Sequence, residues 1–102
     1  MTEGIRTVAV CGAAGTMGAG IAIVATRAGY DTIAYDLSAD GLARARADTE
    51  KFFDRSVERG RMSAEDRDAA LARLKPATRL QDLAAADLVI EAVYEDIAIK
   101  KE

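Results

Sequence analysis

Short β-branched segments alternate with helical patterns along the first part of the chain. Residues 7–11 (TVAVC) and 31–35 (DTIAY) each predict a buried strand. Between them, residues 16 to about 28 have apolar positions at helical spacing, and Gly29 is placed to end that helix. Those positions are Met17, Ile21, Val24, Ala25 and Ala28. A strand, a helix and a strand within about thirty residues predict a βαβ unit.

Two helices in tandem are predicted next, forming a helical arm over residues 38 to about 75. Ser38 is placed as an N-cap, with Leu37 and Leu42 spaced as a hydrophobic staple, and the helix runs to Gly60. Its apolar side carries Leu42, Ala45, Thr49, Phe52, Phe53 and Val57. The second helix begins at a cap on Ser63, with Asp66 three residues on, turns Leu71 and Leu74 inward, and stops before Pro76.

The remaining segments complete a parallel sheet. Residues 77–80 predict a short third strand, 81–86 a helical turn, 88–93 (LVIEAV) a fourth strand, and 96–102 the start of another helix. The predicted fold class is therefore α/β. We expect a partial Rossmann fold, a doubly wound parallel sheet of about four strands with a tandem-helix insertion after the second strand.

Composition excludes several classes of function. The 102 residues carry a net charge of −3, and the arginines are interleaved with acids, which argues against a nucleic-acid-binding face. No apolar run is long enough for a membrane span, and the N-terminus has no signal-peptide core. The single cysteine, Cys11, fits a reducing compartment, so a cytoplasmic location is expected. No metal site is predicted.

A cluster of glycines directly follows the first strand. Gly12, Gly15 and Gly18 are spaced G-x-x-G-x-x-G, one residue longer than the usual dinucleotide fingerprint G-x-G-x-x-G. Such a loop lets pyrophosphate approach the backbone at a helix N-terminus. An inert glycine turn is the alternative interpretation.

An acidic residue stands where the fingerprint places one. Asp36 ends the second strand, 18 residues after Gly18, and can accept hydrogen bonds from both hydroxyls of an adenine ribose. It would repel a 2′-phosphate, and Leu37 and Ser38 supply no arginine to compensate. The sequence therefore favours NAD over NADP.

The fourth strand should lie beside the first in a doubly wound sheet. The crevice between them would then be lined by the glycine loop and by Tyr94, Glu95 and Asp96. Glu91, inside the apolar strand, must find a partner or face water, and no role is assigned to it.

Four stretches together resemble the N-terminal part of the 3-hydroxyacyl-CoA dehydrogenase family, which includes 3-hydroxybutyryl-CoA dehydrogenases. They are GTMGAGIA at 15–22, AGYDTIAYD at 28–36, VERGRMSAEDRDAALARL at 57–74 and ADLVIEAVYEDIAIKK at 86–101. The resemblance covers nearly the whole chain. The family's usual loop is GAGTMG, so the loop GAAGTMG is one residue longer.

The resemblance assigns residues to a cofactor, NAD, and to a substrate, acyl-CoA. Asp36 matches the ribose acid, and Glu95 and Lys100 match residues that contact NAD. Arg59 stands about where the family has a CoA-contacting lysine, and Phe52 where some members have a contacting serine. The loop residues taken as cofactor-binding candidates are Gly12, Ala14, Gly15, Thr16, Met17 and Gly18.

The family's catalytic histidine and glutamate lie further along the chain than this sequence reaches. The sequence has no histidine, so we assign no catalytic residue and expect the chain alone to be inactive. Its full-length parent would oxidise 3-hydroxyacyl-CoA to 3-ketoacyl-CoA with NAD, in fatty-acid or butanoate metabolism. Residues 1–102 would be part of its NAD-binding domain, and the catalytic and dimerisation domain would be absent.

Two further expectations remain open. A non-catalytic NAD-binding, regulatory or structural module of the same fold is the alternative to a dehydrogenase fragment, since the family includes a lens crystallin. The strand 88–93, left at the edge of the sheet, favours a homo-oligomer.

Overall fold

The computed structural model describes residues 4–92, which form a four-stranded, fully parallel sheet with helices. The elements in chain order are β1 (Thr7–Cys11), α1 (Thr16–Arg27), β2 (Asp31–Tyr35), α2 (Ala39–Glu58), α3 (Ala64–Arg73), β3 (Leu74–Ala77), a 3-10 helix (Leu80–Ala85) and β4 (Leu88–Glu91). The strand order is β3-β2-β1-β4. The predicted α/β, Rossmann-like fold class is confirmed.

The central strand β1 sets the register of the sheet. Its residues Val8, Ala9 and Val10 are buried, and its last residue, Cys11, pairs with Tyr35 of β2 on one side and Glu91 of β4 on the other. Because the strands are parallel, the segments that follow β1 and β2 meet at one edge of the sheet. That edge holds the glycine loop and Asp36.

Helix α1 packs small side chains against the sheet. Its buried residues are Gly18, Ala22, Ala25 and Thr26, whereas three of the predicted apolar positions are exposed: Met17 (43%), Val24 (68%) and the C-cap residue Ala28. The predicted face was wrong at Met17 and Val24, because close packing on the sheet selects for small residues rather than for large apolar ones. The helix stop is confirmed: Gly29 has φ +103°, and Tyr30 N–H donates to the Ala25 carbonyl in a Schellman motif.

Both predicted serine caps of the arm are confirmed. Ser38 Oγ accepts from Gly41 N–H at 2.9 Å and Ser63 Oγ accepts from Asp66 N–H at 3.0 Å. The predicted hydrophobic staple is wrong, because Leu37 is 83% exposed while Leu42 is buried. The side chain of Leu37 is therefore exposed to solvent at the edge of the sheet that holds Asp36.

The arm has a small core of its own and is fastened to the end of α1. Phe53 is fully buried in a cluster with Ala70 and Leu71. Thr26 Oγ1 donates to the Ala70 carbonyl at 2.6 Å, and the Arg73 guanidinium donates to the Thr26 carbonyl at 2.7 and 3.0 Å. These bonds hold the far end of the arm against α1.

Two strand predictions need correction. The third strand is Leu74–Ala77 rather than 77–80, because Pro76 is tolerated at a sheet edge, where a missing N–H costs no ladder bond. Leu74 is buried as predicted, but in β3 rather than in the helix.

The fourth strand spans Leu88–Glu91, so Ala92 of the predicted strand 88–93 is not part of it; residue 93 and the predicted helix 96–102 lie outside the described residues. Among residues 4–92, no helix has the length and hydropathy needed to cross a bilayer.

Candidate functional site

The loop after β1 is a tight turn built from backbone hydrogen bonds. Gly12 has φ +84°, a left-handed conformation that favours glycine. The N–H groups of Gly12 and Ala13 both donate to the Tyr35 carbonyl at 3.0 Å, and Gly15 N–H donates to the Gly12 carbonyl at 3.1 Å. The loop is thereby held to the end of β2.

Gly18 explains why α1 can approach this loop so closely. A Cβ on Gly18 would lie 2.1 Å from the Gly12 carbonyl oxygen and 2.9 Å from Ala13 Cα. Both are backbone atoms, so no side-chain movement could relieve the contact. Gly18 therefore has the third-glycine role of the fingerprint, close packing of helix on strand.

The N-terminus of α1 differs from those of the other two α-helices. Its N-cap, Gly15, makes no side-chain capping bond, and its first turn carries no acid. Helices α2 and α3 have serine caps and acids in their first turns, Asp40 in α2 and Glu65 and Asp66 in α3. The first N–H groups of a helix lack intrahelical acceptors and form its positive end. In α1 these N–H groups have neither a side-chain cap nor a nearby acid, and this is the electrostatic setting that favours an anion.

Asp36 is held beside this helix end by two backbone donors. Its Oδ2 accepts from Ala14 N–H at 3.0 Å and its Oδ1 accepts from Ser38 N–H at 3.1 Å. The carboxylate thus joins the loop to the start of α2, and each oxygen keeps lone-pair capacity for a further donor. The role of Ser38 in orienting Asp36 was not predicted, although the spacing Asp-x-Ser indicates an Asx turn.

Cys11 and Glu91 face each other across β1 and β4 at the same edge. Burial, and secondarily the charge of Glu91, raise the pKa of the Cys11 thiol above its ordinary value of 9.0. The thiol therefore stays protonated at neutral pH, which argues against a nucleophilic or redox role. Glu91 is exposed and faces water, one of the two outcomes that the sequence allowed.

Arg59 lies at the other end of α2, in a cleft with three other arginines. The cleft has a volume of about 220 Å³, and its lining residues are Arg27, Phe52, Arg55, Ser56, Arg59 and Arg61. Only Arg59 and Phe52 were singled out from the sequence. The other arginines come from α1, α2 and the turn after α2, so no local spacing indicated that they converge.

The predicted site residues fall into three groups. The loop and Asp36 are brought together, whereas Arg59 is separated from them by the length of α2, 20 residues or about 30 Å. Glu95 and Lys100, together with Tyr94 and Asp96, lie outside the described residues. No group of three or more metal-ligating side chains occurs within residues 4–92.

The geometry at the loop fits a dinucleotide. A strand, a glycine turn, an uncapped helix end and an oriented carboxylate after the second strand supply donors for pyrophosphate and acceptors for ribose hydroxyls. These features define the edge as that of a Rossmann-type dinucleotide-binding domain.

Comparison with known proteins specifies the family. Residues 7–102 match the family model described as 3-hydroxyacyl-CoA dehydrogenase, NAD binding domain. The chain therefore belongs to this family, and NAD is the cofactor that the family indicates.

Similar proteins and structures agree with this assignment. The chain is 46% identical over 101 residues to 3-hydroxyadipyl-CoA dehydrogenase of Escherichia coli K12, covering 99% of this chain and 21% of that relative. It is 40% identical over 102 residues to 3-hydroxybutyryl-CoA dehydrogenase of Mycobacterium tuberculosis, covering 100% of this chain and 35% of the relative. A crystal structure of 3-hydroxybutyryl-CoA dehydrogenase from Escherichia coli K12 superimposes with a TM-score of 0.86 at 47% identity, over 95% of this chain and 20% of that one. The chain thus spans about a fifth to a third of the length of these relatives.

Proposed function

We propose that this chain supplies the NAD-binding part of an NAD-dependent 3-hydroxyacyl-CoA dehydrogenase that oxidises 3-hydroxyacyl-CoA to 3-ketoacyl-CoA. The observation that carries the proposal is the uncapped N-terminus of α1 beside the oriented carboxylate of Asp36. Bound NAD would supply the hydride acceptor. The acid–base residues of that reaction are expected elsewhere in the parent, so the chain alone is expected to bind the cofactor without turnover.

The end of the sheet that holds the glycine loop and Asp36 is called the cofactor edge below, and each of its parts has a proposed role. The free N–H groups at the start of α1 hold the pyrophosphate, and Asp36 accepts hydrogen bonds from the ribose hydroxyls. For Glu95 and Lys100, contact with NAD is proposed from the family resemblance alone. The residues that form or line the pyrophosphate loop are Gly12, Ala14, Gly15, Thr16, Met17 and Gly18.

The same carboxylate selects NAD over NADP. A 2′-phosphate placed at the ribose would meet the negative charge of Asp36, and Leu37 and Ser38, the next two residues, carry no positive charge. The exposed side chain of Leu37 offers an apolar contact beside the ribose acid instead.

We propose that Arg59 contacts the phosphorylated end of acyl-CoA. Its cleft also contains Arg27, Arg55 and Arg61, and the ring of Phe52, 41% exposed, lines the same cleft. Arginine guanidinium groups bind phosphate through paired hydrogen bonds, and an aromatic ring can lie against a base. The contact concerns the nucleotide end of the substrate, because the cleft is a helix length away from the cofactor edge.

Further proposals concern the parent protein. We expect a larger protein whose catalytic and dimerisation domain follows this part, a homo-oligomer, and a cytoplasmic location with a role in fatty-acid or butanoate metabolism. Leu88 and Val89 of β4 are exposed within residues 4–92, and either a further part of the parent or a second copy could cover them.

A calorimetric titration with NADH and separately with NADPH tests the cofactor proposal. We expect saturable NADH binding, NADPH binding weaker by roughly tenfold or more, and loss of that preference in Asp36→Ala. Asp31→Ala is the control, because Asp31 begins β2 at the opposite edge of the sheet. Equal binding of both cofactors by the unmodified chain would contradict the role of Asp36. No binding by the folded chain would contradict the proposal as a whole.

A further inference from the structure

Gly41 occupies a helical position where a side chain is ordinarily favourable. It is the third residue of α2 and is buried, and alanine is a better helix former than glycine at such positions. A Cβ on Gly41, however, would lie 2.8 Å from Ala14 Cβ, 3.0 Å from Ser38 Oγ and 3.3 Å from Ser38 Cβ. The first turn of α2 and the glycine loop therefore meet at this point.

The contact with Ala14 is the restrictive one. Side chains at the third helical position coexist routinely with serine caps, as they do in the capping box, so the contact with Ser38 can be relieved by small adjustments. Ala14 Cβ is attached directly to the loop backbone and has no rotamer to change. A methyl group on residue 41 can be accommodated only if the loop and the first turn of α2 move apart, and Asp36 accepts a hydrogen bond from each of these two segments.

Ala14 lies in the part of the loop that is longer than the usual fingerprint. It stands between Gly12 and Gly15, where G-x-G-x-x-G has one residue and this chain has two. Its N–H donates to Asp36 Oδ2 at 3.0 Å, while Asp36 Oδ1 accepts from Ser38 N–H. Moving Ala14 away from α2 would break one of the two bonds that orient the carboxylate.

We propose that Gly41 is a positioning residue for Asp36. Its missing side chain makes room for the lengthened loop, so that Ala14 N–H reaches the carboxylate that accepts the ribose hydroxyls. This inference rests on the proposed NAD-binding function, and it adds a position outside the glycine motif on which cofactor selectivity depends.

Four proteins test the inference: the unmodified chain, Gly41→Ala, Ala14→Gly, and the double variant. Each is titrated with NADH and NADPH, and its melting temperature is measured by circular dichroism. We expect Gly41→Ala to lose roughly tenfold in NADH affinity and most of its preference over NADPH, as the loss of one charge-assisted hydrogen bond implies. Ala14→Gly removes the opposing methyl group, so in its presence Gly41→Ala should have no further effect: the double variant should match Ala14→Gly alone in NADH affinity and in its preference over NADPH.

The outcomes separate this inference from the function on which it rests. If the unmodified chain does not bind NADH, the proposed function fails. If it binds but Gly41→Ala binds equally well and melts at a higher temperature, as helix propensity alone would predict, the inference alone fails. Should Gly41→Ala not fold, a folded double variant with the same NADH affinity as Ala14→Gly would still support the inference. A double variant that binds NADH as much more weakly than Ala14→Gly as Gly41→Ala does than the unmodified chain would overturn it.

Discussion

The two ends of α2 lie beside candidate sites of opposite construction. At its N-terminal end, the cofactor edge is made of backbone N–H groups, glycines and one oriented carboxylate, with Gly18 packed against the Gly12 carbonyl. At its C-terminal end lies the cleft that contains Arg27, Arg55, Arg59 and Arg61, called the arginine cleft below. It is made of long side chains from separate elements around Phe52. The first site presents backbone dipoles in fixed positions, and the second presents charges carried on long, flexible arginine side chains.

This difference determines how each site should respond to change. A site built from backbone atoms cannot adjust to added volume, because a methyl group at Gly18 would meet other backbone atoms. In a site built from side chains, each exposed guanidinium contributes separately to the binding free energy, and salt screens each contribution. Substitution of a close-packed glycine at the cofactor edge should therefore be severe and little affected by salt, because its effect is steric, whereas substitutions at the arginine cleft should be mild and dependent on salt.

Gly18→Ala should have the largest effect. Its Cβ would meet the Gly12 carbonyl oxygen and Ala13 Cα, so overpacking should lower the free energy of unfolding by about 3 kcal/mol. NADH binding should be lost with the loop geometry. Urea denaturation monitored by circular dichroism measures the first effect and calorimetry the second.

Gly20→Ala, two residues further along α1, is the matched control. A Cβ there meets nothing within 4 Å, so helix propensity should raise the free energy of unfolding by about 0.5–1 kcal/mol. If the two substitutions had the same effect, the close-packing role of Gly18 would be refuted.

Arg59→Ala should have a moderate effect on CoA binding alone. Loss of one exposed phosphate contact is expected to weaken CoA by about fivefold at low salt and by less at high salt. Affinity for NADH should not change, because the loop is a helix length away. Arg79→Ala serves as the control, since Arg79 is an exposed arginine outside the cleft that lies 3.9 Å from the Asp82 carboxylate. Equal losses in the two variants would remove the reason to place CoA at the cleft.

Asp87 should give a small effect on stability that depends on pH. Its carboxylate accepts from Arg6 N–H at 2.9 Å and Thr7 N–H at 3.0 Å, and these bonds lower its pKa below the ordinary value of 3.8. The contribution is thus complete above that value and is lost as the pH falls through the lower pKa of the folded state.

Thermal unfolding of Asp87→Asn across the acid range tests this assignment. The variant should melt slightly lower than the unmodified chain at neutral pH, and the two should converge in acid. A gap that stayed constant from neutral pH to about pH 2 would show that the charge of Asp87 is not involved.

The parts of the fold that depend on residues close together in the sequence were predictable from it. The strands β1 and β2, the serine caps and the helix stop at Gly29 follow from local chemistry, and the structure has them where the sequence placed them. Asp36 was located by its distance from the glycines and its position at a strand end.

Features that depend on tertiary contact were not predictable. Leu37 has staple spacing but is exposed, because spacing does not show which way the chain enters a helix. The third strand was predicted too late in the chain, at 77–80 rather than Leu74–Ala77. Pro76 is acceptable in a strand only at a sheet edge, and whether a strand lies at the edge depends on the strand order, which the sequence does not show. The constraint on Gly41 comes from Ala14, 27 residues earlier in the chain.

Mapping NADH onto the backbone amides tests the central claim, that the cofactor binds at the backbone-built edge. In a heteronuclear NMR titration, we expect the largest shifts at Gly15, Thr16, Met17 and Gly18, with smaller shifts at Ala14 and Ser38 beside Asp36. The amides of the distant arginine cleft around Arg59 should be unaffected. Saturable shifts centred on that cleft, with the loop amides unmoved, would contradict NADH binding at the loop.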